Sequence, residues 1–297
     1  MKRAFTLFFI LCFLFCGCSV KEPAAQIAAT TLPVFEFTSR LCDGTGITVT
    51  RLVTEEVSCL HDYSLNVRQV KAAEAAELIV ISGAGLEEFL DDILINKESI
   101  DASVGIELLC PEEGHGHDHH SHEEESHEGH HHDQDPHIWL SPANARKMVL
   151  NIWEGLCFRY PEYSQIFSDN LQQLTEELKE LEQYGQQQLG SLRCRDLITF
   201  HDGFSYFAES FDLHILKAVE EESGSEASAK ELIHLIEEVE HHQLPAIFTE
   251  KSGSVSAAGI IARETGCDSF SLDMAMAGDS YFDAMYHNID TLKEALG

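Results

Sequence analysis

Three histidines and one aspartate stand where predicted strands give way to loops: His61 in CLHDYS, His137 in DPHIWLSP, His201 in TFHDGFSYF and Asp279 in AGDSYFDAM. Taken singly each is weak, because a histidine after a strand is more often a hydrogen-bonded core or surface residue than a ligand. Together they are two contributions from each half of the chain, all at sheet edges, which is where open α/β sheets bind ligands. Three neutral imidazoles and one carboxylate satisfy tetrahedral Zn2+ at about 2.0–2.2 Å. Asp62, Asp135 and Asp202 adjoin the histidines and are placed to orient the rings. Helix capping is the competing role for these acids, nearly as strong for Asp202.

A second group of histidines has a different character. Residues 115–132 read HGHDHHSHEEESHEGHHH, with His115, His117, His119, His120, His122, His127, His130, His131 and His132 among acids, Gly and Ser. With almost nothing apolar to bury, the stretch cannot offset its own ordering entropy, and a mobile loop is expected over 111–134. Imidazole and carboxylate at this density ligate divalent metals, imidazole suiting Zn, Cu and Ni. The blander alternative is a solvated loop with no role.

Composition narrows the classes. The 297 residues carry 51 acids against 19 Lys and Arg, a formal charge of −32. That excludes a nucleic-acid binder, which needs a basic patch to neutralise phosphates. It suits cation handling or plain solubility. The chain starts with Lys2 and Arg3, an apolar run from Ala4 to Phe15, and Gly17 before Cys18. This is the layout of an export signal, too short for a membrane-spanning helix. LFCGC resembles a lipobox with Cys18 as the lipid-carrying residue, although Phe15 stands where Leu is usual. Beyond the signal are Cys42, Cys59, Cys110, Cys157, Cys194 and Cys267. Disulfides are permitted in an exported chain, Cys194 with Cys267 being the expected pair, and buried free thiols are the alternative.

Positioning these residues falls to alternating strands and helices. IAATTLPV (27–34), GITVTRLV (46–53) and the apolar LIVISG (78–83) read as strands, the last covered on both faces as in a parallel sheet. Helices are expected over 35–44, 64–77 and 85–95, and over 141–160 ending at Pro161. Phe167, Leu171, Leu174, Leu178 and Leu181, spaced by three and four, predict one long amphipathic helix over 164–189. After it, strands at 196–200, 246–250 and 267–273 alternate with helices at 230–242 and 254–266 and a closing helix through TLKEAL. The fold class is α/β, with two mainly parallel lobes joined by one long helix and the metal site in the cleft between them. The expected divisions are a signal at 1–18, a tether at 19–26, a first lobe at 27–160, the linker helix at 161–190 and a second lobe at 191–297.

HDY around His61, DPHIWLSP (135–142), TFHDGFSYFAESFDL (199–213), AIFTE before a helix ending IARETG, and GDSYFDAMYHNIDTLKEAL (278–296) resemble the metal-specific substrate-binding proteins of bacterial ABC transporters, the zinc and manganese type called cluster A-I. The resemblance covers essentially the whole mature chain. It implies that His61, His137, His201 and Asp279 ligate the metal, with Glu250 as a hydrogen-bonding partner of a ligand. It also implies a rigid linker helix, a lipid-anchored extracytoplasmic protein, and delivery of Zn2+ to a membrane permease and its ATPase; a monomer is expected. Manganese-preferring members tend to carry Glu where this chain has His201, which favours zinc, since manganese prefers oxygen ligands. The His-rich loop would then raise local Zn2+ beside the site, sense excess metal or dock a chaperone. An exported zinc hydrolase is the rival class, but the chain has no HExxH, and a carboxylate in the fourth position closes the site to water.

Overall fold

The structure, a computed structural model, describes residues 26–55, 57, 60, 63–109, 134–219, 228–251 and 256–297. His61, Asp62, Cys59, Cys110, Cys18 with the export segment, and the nine tract histidines lie outside the described residues, and the expectations that rest on them lie there too.

The first lobe is built from β1 (Gln26–Ala29), α1 (Leu32–Leu41), β2 (Thr48–Arg51), α2 (Val67–Ala75), β3 (Leu78–Ile81), α3 (Asp91–Leu94) and β4 (Ser99–Asp101). Its four strands are all parallel in the order β2-β1-β3-β4. LIVI lacks polar alternation because β3 is covered on both faces, as central parallel strands are. α2 starts at a capping box: the Asn66 side chain accepts from the Arg68 and Gln69 amides, while the Asn66 amide donates to the Gln69 side chain.

Next come α4 (Pro142–Arg159) and the 26-residue α5 (Ser164–Leu189), which spans about 39 Å at 1.5 Å per residue. Phe167, Leu174, Leu178, Leu181 and Leu189 form its buried stripe, and it packs against α1 and α4. The second lobe repeats the first: β5 (Asp196–Thr199), α6 (Ser205–Phe211), β6 (His214–Ala218), α7 (Ala229–His242), β7 (Ala246–Glu250), α8 (Ser256–Thr265), β8 (Asp268–Leu272) and α9 (Tyr281–Leu296). Its parallel order is β6-β5-β7-β8.

The lobes share one core. A single cluster of buried side chains runs from Ile27 in β1 through Trp139 and α5 to Leu296 in α9. Gly185 lets α5 approach α6: a Cβ there would stand 2.2 Å from Phe211 Cε1. Side-chain bonds to backbone lock the seam. Trp139 Nε1 donates to Met274 O at 2.8 Å, Tyr281 OH to Trp139 O at 2.8 Å, and Tyr206 OH to Asp135 O at 2.8 Å. Among the described residues no helix is long and apolar enough to cross a membrane.

Several expectations need correction; the strand expected over 27–34 ends at Ala29, and α1 already begins at Leu32, with Pro33 in its first turn. The helix expected over 85–95 is a 3-10 turn, Glu88–Leu90, followed by the four residues of α3. Gly83, Ala84 and Gly85 all have positive φ, and the buried Glu87 carboxylate turns back to accept from Thr30, Ser82 and Gly83, so no helix starts earlier. Strands β4 and β6 are additional; both are short edge strands without an apolar run. Cys194 and Cys267 are free thiols. They precede β5 and β8, which flank β7, so they sit about 9–10 Å apart across the sheet, beyond the Cα reach of about 7 Å for a disulfide.

Candidate metal centre

His201 follows the end of β5. The Phe200 amide donates to Phe248 O at 2.9 Å, so the ladder from β5 to β7 extends past Thr199, whose partner is Phe248. Two residues further along both strands, this register sets His201 beside Glu250, the last residue of β7. Thr199 Oγ1 donates to His201 O at 3.0 Å and fixes the turn out of the strand. Glu250 Oε1 stands 3.0 Å from His201 Nδ1, and Glu250 is 4% exposed.

His137 comes from the first lobe. In DPH, Asp135 Oδ1 accepts from the His137 amide at 2.9 Å and meets His137 Nδ1 at 2.7 Å. The next three residues, Ile138, Trp139 and Leu140, are wholly buried in a 3-10 turn, and Ser141 caps α4. The segment is therefore pinned on both sides of the imidazole.

The two rings meet edge to face, and their Nε2 atoms are 3.4 Å apart. Carboxylates only accept, so Asp135 Oδ1 draws the proton of a neutral His137 ring to Nδ1. The two Nε2 atoms face each other within hydrogen-bond reach, and the protonation of the rings decides which one donates. Two donors on a tetrahedral ion with bonds of about 2.0–2.1 Å stand about 3.3–3.4 Å apart. The pair is thus at the spacing of two zinc ligands. Asp135 Oδ2 is buried without a hydrogen-bond partner, which adds uncompensated negative field. Burial by itself would lower the His201 pKa, but the hydrogen bond and charge of Glu250, with the charges of Asp202 and Asp135, outweigh it and raise the net value.

Of the expected partners, Asp135 Oδ1 stands at His137 Nδ1 and Glu250 Oε1 at His201 Nδ1. Phe204 occupies the N-cap position of α6. Asp279 lies exposed on the rim of the cleft, where Arg51 of the other lobe is its charged neighbour and Arg51 Nη1 donates to Gly278 O at 2.8 Å. A narrow cavity of about 40 Å³ runs beside the pair, between Val57 and the Met274–Gly278 loop, with Glu250 in its wall.

Two features of the site went unread in the sequence. Gly203 forms its floor, since a Cβ there would fall 2.8 Å from His201 Cδ2 and 3.1 Å from His137 Nδ1. Tyr206 reaches from α6 to hold the backbone at Asp135, and its oxygen also accepts from the Leu109 amide at 2.9 Å. A glycine two residues after a ligand and an aromatic in the next helix give no spacing signal of their own.

Two parallel α/β lobes joined by one long helix, with His137 and His201 between them, have the architecture of a two-lobed binding protein. The chain belongs to the ZnuA family, described as zinc-uptake complex component A, periplasmic, which matches residues 27–295. It is 28% identical to the zinc-binding lipoprotein AdcA of Streptococcus pneumoniae (strain ATCC BAA-255 / R6), over 99% of this chain and 61% of that protein. The chain thus spans less than two thirds of that relative. Among solved structures, a crystal structure of ZnuA superposes with a TM-score of 0.77 at 27% identity, covering 92% of this chain and all of that one. The Zn(II)-bound structure of AdcA from Streptococcus pneumoniae superposes with a TM-score of 0.75 at 25% identity, over 92% of this chain and 58% of that one.

Proposed function

We propose that this chain captures Zn2+ outside the cytoplasmic membrane and presents it to an ABC permease for uptake. The observation that carries this reading is the 3.4 Å approach of His137 and His201 Nε2, with each Nδ1 facing a carboxylate. Membership of the ZnuA family and likeness to a zinc-bound relative support zinc as the cargo. His61 and Asp279 complete the ligand set from the two sides of the cleft. Two or three imidazoles suit zinc better than manganese, which prefers oxygen.

Cys18 carries the lipid that holds the protein at the membrane, residues 27–160 and 191–297 act as the two lobes about the 161–190 helix, and the chain works as a monomer. It is not an enzyme: with four protein ligands no coordination position is left for an activated water. The His tract is accessory to the cleft.

Zinc competition titration, with manganese in parallel, tests this on the chain lacking residues 1–18, beside His201→Ala and a deletion of 115–132. One tight zinc per chain should survive loop deletion and be lost in His201→Ala. Tight binding that disappears with the loop and ignores His201 would make the protein a zinc buffer instead.

A further inference from the structure

The far edge of the second sheet, where its strands begin, gathers a separate set of metal-ligating side chains. Asp196 opens β5 and His214 opens β6, and the two are direct partners in the parallel register, so they share a sheet face. His214 Nδ1 stands 3.3 Å from Asp196 Oδ1. From the covering helix, His242, the last residue of α7, brings its Nδ1 to 4.0 Å from Asp196 Oδ2 and its Nε2 to 3.5 Å from Glu238 Oε2. The His241 ring packs against His242 at a centroid distance of 4.9 Å. Arg195, adjacent in sequence, is committed to the carbonyls of Leu189, Gly190, Phe211 and Asp212 and to the Asp212 carboxylate, away from this group.

We infer that Asp196, His214 and His242 form a second zinc site, distinct from the cleft. The 3.3 Å separation of His214 Nδ1 and Asp196 Oδ1 is that of two donors on one tetrahedral zinc with bonds of about 2.0–2.1 Å. Among the described residues no three such groups already stand around one point. His242 Nδ1 stands 4.0 Å from the other carboxylate oxygen, Oδ2, so closure needs a rotation of the His242 side chain, which is 32% exposed. Glu238, one helical turn earlier, then orients the ring through Nε2. Two imidazoles and one carboxylate with a water select borderline divalent ions such as Zn2+, Ni2+ and Cu2+ over Mg2+, Ca2+ and Mn2+. With fewer protein donors and freer side chains than the cleft, this station fills after it. Strand register and helix end place its donors independently of the His tract and of the cleft ligands.

The test reads individual histidines. The full chain in detergent is titrated with zinc, and carbethoxylation by diethyl pyrocarbonate is followed residue by residue by mass spectrometry. His214 and His242 should be protected together, with one midpoint, after His137 and His201 are already protected. Asp196→Asn should abolish protection at both while His137 and His201 keep theirs, which also shows that the variant is folded. His234, which pairs with Glu237 on the same helix, is the internal control and should stay reactive throughout. Different midpoints for His214 and His242, no protection in excess zinc, or protection that persists in Asp196→Asn would each overturn the site. None of these outcomes depends on how the cleft behaves.

Discussion

His137 and His201 come from opposite lobes yet face each other through Nε2 at 3.4 Å, with Asp135 and Glu250 standing at their Nδ1 atoms. The fold therefore supplies the orientation that a flexible pair of histidines would have to find on binding, and preorganisation of this kind strengthens binding by removing an ordering cost.

Glu250→Gln keeps the shape of the side chain and removes its charge. Loss of a partner behind a ligating imidazole lowers metal affinity about 10–100-fold. Asp135→Asn should behave alike. Both effects are readable by competition with a chelator of known affinity, and an unchanged affinity in both variants would mean the carboxylates do not support the rings.

The pH dependence has a definite sign. His201 has a raised pKa, so protons begin to compete with zinc above the ordinary imidazole value of 6.5, and affinity falls as the pH drops through this region. Without zinc the sign reverses: a folded-state pKa above the unfolded one gives stability that is fully present below about 6.5 and is lost as pH rises through the folded value. Thermal unfolding with chelator and with saturating zinc, across pH 5–8, should show His201→Ala altering the two profiles in opposite directions.

Glu87 offers an independent check. Burial pushes its carboxyl up to about 7 from 4.5, against the bonds from Thr30, Ser82 and Gly83 that favour the ion. Its contribution to stability is present below about 4.5 and lost as pH rises through about 7. Glu87→Gln should flatten the decline of stability with pH between those limits, by up to about 3 kcal/mol at roughly 1.4 kcal/mol per unit. Urea midpoints at pH 5 and pH 8 decide it.

Gly185 sits inside α5, where alanine would ordinarily gain about 1 kcal/mol of helix propensity. Its Cβ would meet the Phe211 ring at 2.2 Å, and overpacking of this kind costs about 1–3 kcal/mol. Gly185→Ala should be destabilising, and Phe211→Leu in that background should recover part of the loss. A variant as stable as the parent would show that α6 can move off the spine freely.

The long helix and the parallel strands were legible in the sequence. Apolar periodicity along 164–189, uninterrupted apolar runs such as LIVI, and ligands at strand ends are local signals, written within a few residues of one another. The core that joins Ile27 to Leu296 across the lobes was not legible, because such contacts leave no mark on local pattern. Register was also invisible: that His201 stands beside Glu250, that Asp196 meets His214, and that Cys194 cannot reach Cys267 all depend on strand order. Sequence determined which residues were able to bind a metal, since donor chemistry belongs to each side chain. Tertiary structure decided which donors meet and how each ring is turned, because those follow from the β6-β5-β7-β8 order and from packing across the seam at Trp139, Tyr206 and Tyr281.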